Sequence, residues 1–178
     1  MALINTTTTG ILGTTVYGDG AGALTVQKDG VTQGVYGNIP VFSAYLSTSQ
    51  TITGSTFTKV QCNAKEFDTN NNFDTTNNRF LPTVAGYYRV SGEIALTSTS
   101  TITRLIVMVY KNGTIWKTGN DVSSAVPNKM DVDCLVYLNG TTDYVELYGY
   151  GTGTGTLSFY ADGTLSISYF QGHLVKAV

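Results

Sequence analysis

The sequence predicts an all-β sandwich, and three observations carry that prediction. Apolar and polar residues alternate with a period of two along several separate stretches. No stretch sustains the period of an amphipathic helix. Polarity comes from Thr, Ser, Asn and 20 glycines rather than from charge, which is 12% of 178 residues against a usual share of roughly 25%. A helical protein needs Lys and Glu on its outer faces, so this composition excludes one. Apolar residues, at 42%, are ample for a packed core and argue against disorder.

The leading "MALINTTTTG" reads as an extended arm. The following stretch, "TTVYGDGAGALTVQKDGVTQGVYGN", has Val-Tyr-Gly steps at 16–18 and 35–37 around the short strand "ALTVQ". It predicts a small β-meander too poor in apolar residues to hold a core of its own. Composition changes near Pro40, which divides the chain into an arm and meander (1–39) and a head (40–178). In the head, Tyr88, Val90, Ile94 and Leu96 alternate with Tyr87, Arg89, Ser91 and Glu93. The apolar run 105–110 suits a strand covered on both sides. It leads into Asn112-Gly113, a strong type I′ hairpin signal. Residues 131–138 turn Val132, Cys134, Val136 and Leu138 inward. Asn139-Gly140 predicts a second hairpin, joining them to 143–150. Further strands are expected at 40–46, 56–63, 154–160 and 164–175.

Several motifs are weighed and refused. "GDGAGA" (18–23) fits a dinucleotide-binding spacing but runs into a strand where that loop must open a helix. "DTNNNFDTTNN" (68–78) is rich in oxygen ligands, yet Arg79 stands where a calcium loop needs a bidentate Glu. A solvated Asn-rich loop, with no metal, is expected. His173 is the only histidine, and "QGHLV" sets no nucleophile or carboxylate beside it. Cys62 and Cys134 fall on the apolar side of their strands, as buried free thiols. No catalytic residue and no cofactor are assigned, and the chain is not expected to be an enzyme. A net charge of -2 without a basic cluster excludes a nucleic-acid partner. No apolar run is long enough to insert in a membrane. The N-terminus lacks the features of a secretion signal, so synthesis in a reducing host cytoplasm is expected.

The spacing Phe73-x6-Phe80-x5-Gly86-x-Tyr88-x-Val90, with Phe57-x5-Asn63 before it, resembles the defining motif of the C1q/tumour-necrosis-factor-like jelly roll. "VFSAYLS" (41–47) is similar to the first strand of that fold, "YLNGTTDYVELYGYG" to its penultimate segment, and "SYFQGHLV" to its closing Phe-x-Gly strand. The order is right from residue 40 to 178. Nine residues separate Asn63 from Phe73 where the family has about four, so the Asn-rich loop is enlarged. The collagen stalk of many animal members is absent. The Thr/Asn/Gly-rich, low-charge N-terminal part resembles small structural proteins of tailed bacteriophages.

The resemblance implies a homotrimer, and a physical argument agrees with it. If Val145 and Leu147 enter the core, Tyr144, Tyr148 and Tyr150 point outward with Glu146. Such a row makes an apolar patch on the order of 400 Å² or more, large for a monomer surface. At roughly 25 cal/mol per Å², its burial is worth on the order of 10 kcal/mol before entropy costs. Leu135 and Tyr137 would lie nearby across the expected hairpin. Tyr87, Leu135, Tyr137, Tyr144, Tyr148 and Tyr150 are therefore the expected trimer contacts; the alternative is that a second sheet or the N-terminal meander covers this face within one subunit. Tyr88 should fill the core, its hydroxyl reaching a loop backbone.

The leading functional expectation is a capsid decoration, or cement, protein of a phage virion, bound through its arm to other virion proteins, the major capsid protein first. Attachment residues would be Ile4, Ile11, Leu12, Val16, Tyr17, Leu24 and Val26. The alternative is the receptor-binding head of a tail or head fibre that recognises a host glycan or protein, with loop 64–78 as the place to look.

Overall fold

The computed structural model describes residues 14–18, 24–28, 31–36, 39–123, 129–162 and 166–178, with side chains from 39 onward. Three strands, β1 (Thr14–Gly18), β2 (Leu24–Lys28) and β3 (Val31–Tyr36), form an antiparallel meander with a sheet of their own. Of the expected attachment residues, Ile4, Ile11 and Leu12 lie outside the described residues. Val16, Tyr17, Leu24 and Val26 fall on β1 and β2, where only the backbone is described.

The remaining strands are β4 (Val41–Tyr45), β5 (Gln50–Ile52), β6 (Thr58–Lys59), β7 (Ala64–Asp68), β8 (Phe73–Asp74), β9 (Arg79–Phe80) and β10 (Gly86–Ser98). After them come β11 (Ile102–Lys111), β12 (Thr114–Ser123), β13 (Lys129–Leu138), β14 (Val145–Gly153), β15 (Leu157–Phe159) and β16 (Tyr169–Ala177). The first sheet runs β5-β15-β10-β16-β4-β7, with β13 on the free edge of β10; the second runs β12-β11-β14-β9-β8, with β6 also on β14. Every pairing is antiparallel.

The predicted alternation holds along β10. Tyr88, Val90, Ile94 and Leu96 are buried, while Tyr87 and Arg89 face out. Between the sheets sits an aromatic cluster. Phe42 stacks on Phe80 at 4.2 Å and on Phe73 at 5.3 Å, and Phe170 and Tyr88 meet these rings edge-on. The Tyr88 hydroxyl donates to the Val84 carbonyl at 2.7 Å, the loop contact expected for a phenol whose ring is buried. Burial pushes the Cys62 thiol up to about 12, a value that leaves it protonated and inert.

The two Asn-Gly steps behave differently. Asn112 and Gly113 have φ of 52° and 77°, as a type I′ turn requires, and they close the β11–β12 hairpin. The hairpin expected at Asn139-Gly140 does not form: β13 pairs with β10 and β14 pairs with β11, so residues 139–144 cross between sheets. Local chemistry explains the crossing. Asn139 Oδ1 accepts from the backbone N–H of Thr141, Thr142 and Asp143, which closes a wider loop than two residues. Gly140, at φ 72°, lies so close to the Val84–Ala85 backbone that a Cβ would stand 2.5 Å from the Ala85 nitrogen. The stretch 56–63, expected as one strand, pairs only over Thr58–Lys59.

Candidate functional site

Because β13 and β14 belong to different sheets, the six expected trimer contacts divide between two faces. Tyr87, Leu135 and Tyr137 stand on the outer face of the first sheet; Tyr144, Tyr148 and Tyr150 belong to the β14 side of the second.

On the first sheet, Tyr87 sits directly opposite Tyr137 in the register, and their rings are 5.6 Å apart. Leu135 is 58% exposed, Tyr87 48%, Trp116 41% and Tyr137 38%, values far from those of a finished interior. Trp116 reaches this cluster from β12. Its indole N–H donates to the Leu135 carbonyl at 3.1 Å, which fixes the ring at the edge where the two sheets meet. Lys111 donates to the Tyr137 carbonyl at 2.7 Å and pairs with Asp143 at 3.0 Å, so its ammonium sits between the Trp116 and Tyr137 rings at 5.8 and 5.7 Å. Next along the face, Arg89 pairs with Asp133 at 2.8 Å, and its hydrogen bonds to that carboxylate, with the negative charge, hold the guanidinium above even its usual range. The result is an apolar end flanked by charge. Beyond Arg89 lies a shallow groove of about 360 Å³ lined by Phe67, Ser91, Gln171 and His173 among others.

The second sheet covers its own aromatics. Tyr148 stacks on Tyr110 at 3.8 Å, Phe57 packs against Tyr150 at 4.9 Å, and Arg104 lies over Tyr150 at 5.7 Å while pairing with Asp121. Desolvation raises both Tyr148 and Tyr110 above the ordinary phenol value. Glu146, between the tyrosines, is 4% exposed and paired with Lys59 at 2.8 Å.

The enlarged Asn-rich segment is a pair of tight turns. Asn71 and Asn78 adopt φ of 53° and 51°, a left-handed conformation that asparagine tolerates better than most residues. Asp68 accepts from the backbone of Asn72 and Phe73 and pairs with Lys65. Asp74 accepts from the Asn77 side chain and from the backbone of Thr76 and Asn77, and those bonds hold its carboxyl below the usual range. These carboxylates are thus occupied by the chain itself. Among the described residues no cluster of His, Cys, Asp or Glu is arranged to hold a metal.

Sequence reasoning named Tyr87, Leu135 and Tyr137, which stand exposed together, and did not name Trp116 beside them. The available signal was the sole tryptophan beside a hairpin turn, on a strand without inward apolar alternation.

The fold class that this geometry defines is the C1q/TNF-like jelly roll. The globular domain of zebrafish complement 1qA protein matches with a TM-score of 0.55 at 16% identity, over 79% of this chain and 99% of that one. The TNF Eiger from S. frugiperda matches at 0.53 and 11%, over 79% and 93%. Murine APRIL matches at 0.53 and 9%, over 77% and 99%. At the level of sequence, the chain is similar to the phage-like element PBSX protein XkdV of Bacillus subtilis (strain 168), 31% identical over 122 residues, or 64% of this chain. The chain spans 18% of that protein's length. No family model matches.

Proposed function

We propose that this chain is a non-enzymatic structural protein of a phage virion, whose jelly-roll head assembles as a homotrimer and meets the host surface. The observation that carries the reading is the likeness to a phage-element protein of which the chain spans 18%. A chain that matches a minor part of a far longer polypeptide suits a displayed module better than a free-standing shell ornament. Tyr87, Leu135, Tyr137 and Trp116 are the proposed trimer contacts. Their exposed apolar surface supports burial against identical copies, since isolated apolar clusters of this size are costly in water. Tyr144, Tyr148 and Tyr150 support this contact less, because rings and cations of the same chain already cover them.

Purified protein added to host cells ahead of phage is expected to lower adsorption in proportion to its concentration; undiminished adsorption at saturation rejects the reading. Decoration of the capsid shell is the second reading. One observation favours it: β1–β3 form a sheet separate from the head, suited to attachment through Ile4, Ile11, Leu12, Val16, Tyr17, Leu24 and Val26. Removal of residues 1–39 would then leave a folded trimer that no longer binds capsids.

A further inference from the structure

Among the described residues, Arg79, on β9, forms no ion pair. Its guanidinium carbon lies 4.7 Å from the centre of the Tyr144 ring. Its Nε is shut off from solvent and has no acceptor. Among the described residues every ion pair formed by Lys or Arg uses another cation. The nearest candidate, Asp74, feels the positive charge but spends its oxygens on Asn77 and Thr76. An arginine stacked on an aromatic ring, with its donors unspent, is held ready for a planar or tetrahedral anion.

Arg79 lines a groove of about 440 Å³ together with Lys65, Asn71, Asp74, Thr75 and Thr83, within the range of about 300–1,000 Å³ usual for small-molecule sites. Around it the hydrogen-bonding capacity is divided unevenly. The Lys65 ammonium is taken by Asp68 and Asn71, and Asn72 by Thr83 N–H and the Asn70 carbonyl. The hydroxyls of Thr75 and Thr83 and the amide nitrogen of Asn71 make no hydrogen bond to the described residues. The carboxylates at the rim are already satisfied by backbone N–H groups, so they offer little to a second cation. What the groove lacks is one anion and several hydroxyls.

We propose that this groove binds a single acidic saccharide unit, its carboxylate or phosphodiester on Arg79 and its hydroxyls on Thr75, Thr83 and Asn71. The proposal rests on the host-surface reading above and names the ligand class for it. A nucleotide fits less well, since the groove offers no glycine cradle for a phosphate chain and no exposed ring face for a base.

The test uses the full chain and four probes: a galacturonate trisaccharide, a mannose-phosphodiester oligomer, a neutral maltotriose and a hexaglutamate peptide, with binding read by calorimetry and by NMR titration. At least one acidic saccharide should bind more tightly than maltotriose and hexaglutamate, and which one binds separates the carboxylate source from the phosphodiester source. Arg79→Gln should weaken that binding about 10- to 100-fold, the range for a hydrogen-bonded charge, with Arg79→Lys losing less. Thr75→Val with Thr83→Val, which leaves the β8–β9 pairing alone, should weaken it about tenfold. Failure of both acidic probes, equal binding of maltotriose or hexaglutamate, or an R79Q protein that binds like its parent would overturn the site. The adsorption assay run with R79Q separates the two readings. Equal blocking by parent and variant keeps the host-surface role and removes the groove. Arg79-dependent sugar binding by a parent that blocks no adsorption does the reverse.

Discussion

On the second sheet, Tyr148 lies flat against Tyr110, and Phe57, just ahead of β6, packs against Tyr150. On the first, Tyr87 and Tyr137 touch one another and otherwise stand open beside Leu135 and Trp116. Both faces are rich in aromatic residues at outward positions, and both come from strands of similar composition. They differ in what lies over them. The second sheet has a short added strand, two arginines and the Lys59–Glu146 pair against its rings, whereas the first has only Trp116 and Lys111 reaching in at one edge. Period-two alternation decides which way a side chain points; it does not decide what covers it. An outward tyrosine is therefore exposed, and a proposed interface residue, on one side of this molecule and part of the chain's own packing on the other.

The comparison breaks most visibly at Leu135 and Tyr137. Replacing them together, Leu135→Lys with Tyr137→Ser, should weaken self-association about a thousandfold, at roughly 2 kcal/mol for each central contact. Sedimentation velocity would show single copies, with a melting temperature for the isolated head close to that of the parent. Trimers that persist would move the interface elsewhere. The second sheet should answer in the opposite way. Lys59→Met leaves the Glu146 carboxylate buried without its cation and should cost about 3 kcal/mol of unfolding free energy, read by urea denaturation. The double replacement with Glu146→Met should regain most of that loss.

A finer contrast comes from Tyr148→Ser, which removes one ring of the stacked pair. A loss of about 2 kcal/mol with unchanged sedimentation is expected; dissociated copies at unchanged stability would invert the assignment of the two faces. The smallest effect concerns Asp143, which the Asn112 amide, then the Lys111 ammonium, hold below the usual carboxyl range. A folded value below the unfolded one gives stability that is complete above about pH 4 and is lost as the pH falls through the folded value. Asp143→Asn should therefore narrow the difference between urea midpoints at about pH 6 and about pH 3; an unchanged difference would assign the acid sensitivity to other carboxylates.

How far the sequence could be read depended on whether the deciding contacts were local. The alternation of β10, the placement of Tyr88 and the Asn112-Gly113 turn all follow from neighbours within a few residues, and each was legible. The same dipeptide at 139–140 misled, because its outcome turns on the approach of the Val84–Ala85 backbone and on three N–H groups gathered by Asn139. Phe57 could not be foreseen over Tyr150, since β6 is remote in sequence from β14. Trp116 escaped notice because β12 is exposed along almost its whole length and shows no alternation to interrupt. Arg79 was visible only as the residue that spoils a calcium loop. That it forms no ion pair among the described residues is a property of the folded chain.

The pairing of β4 with β16 has a mechanical consequence. Val41 lies opposite His173, and the Leu174 N–H donates to the Pro40 carbonyl, so the first and last strands of the head run side by side in opposite directions. Pro40 and the C-terminal end of β16 therefore lie toward one pole of the head. Tension applied between those two points would peel the ladder open one bond at a time, because the load falls on the nearest pair alone. Tension applied through one end, against a head held at its flank, would instead be shared over all the strands of the sheet. The lacing is thus built to hang from a single tether, and it would make a weak link if pulled from both ends.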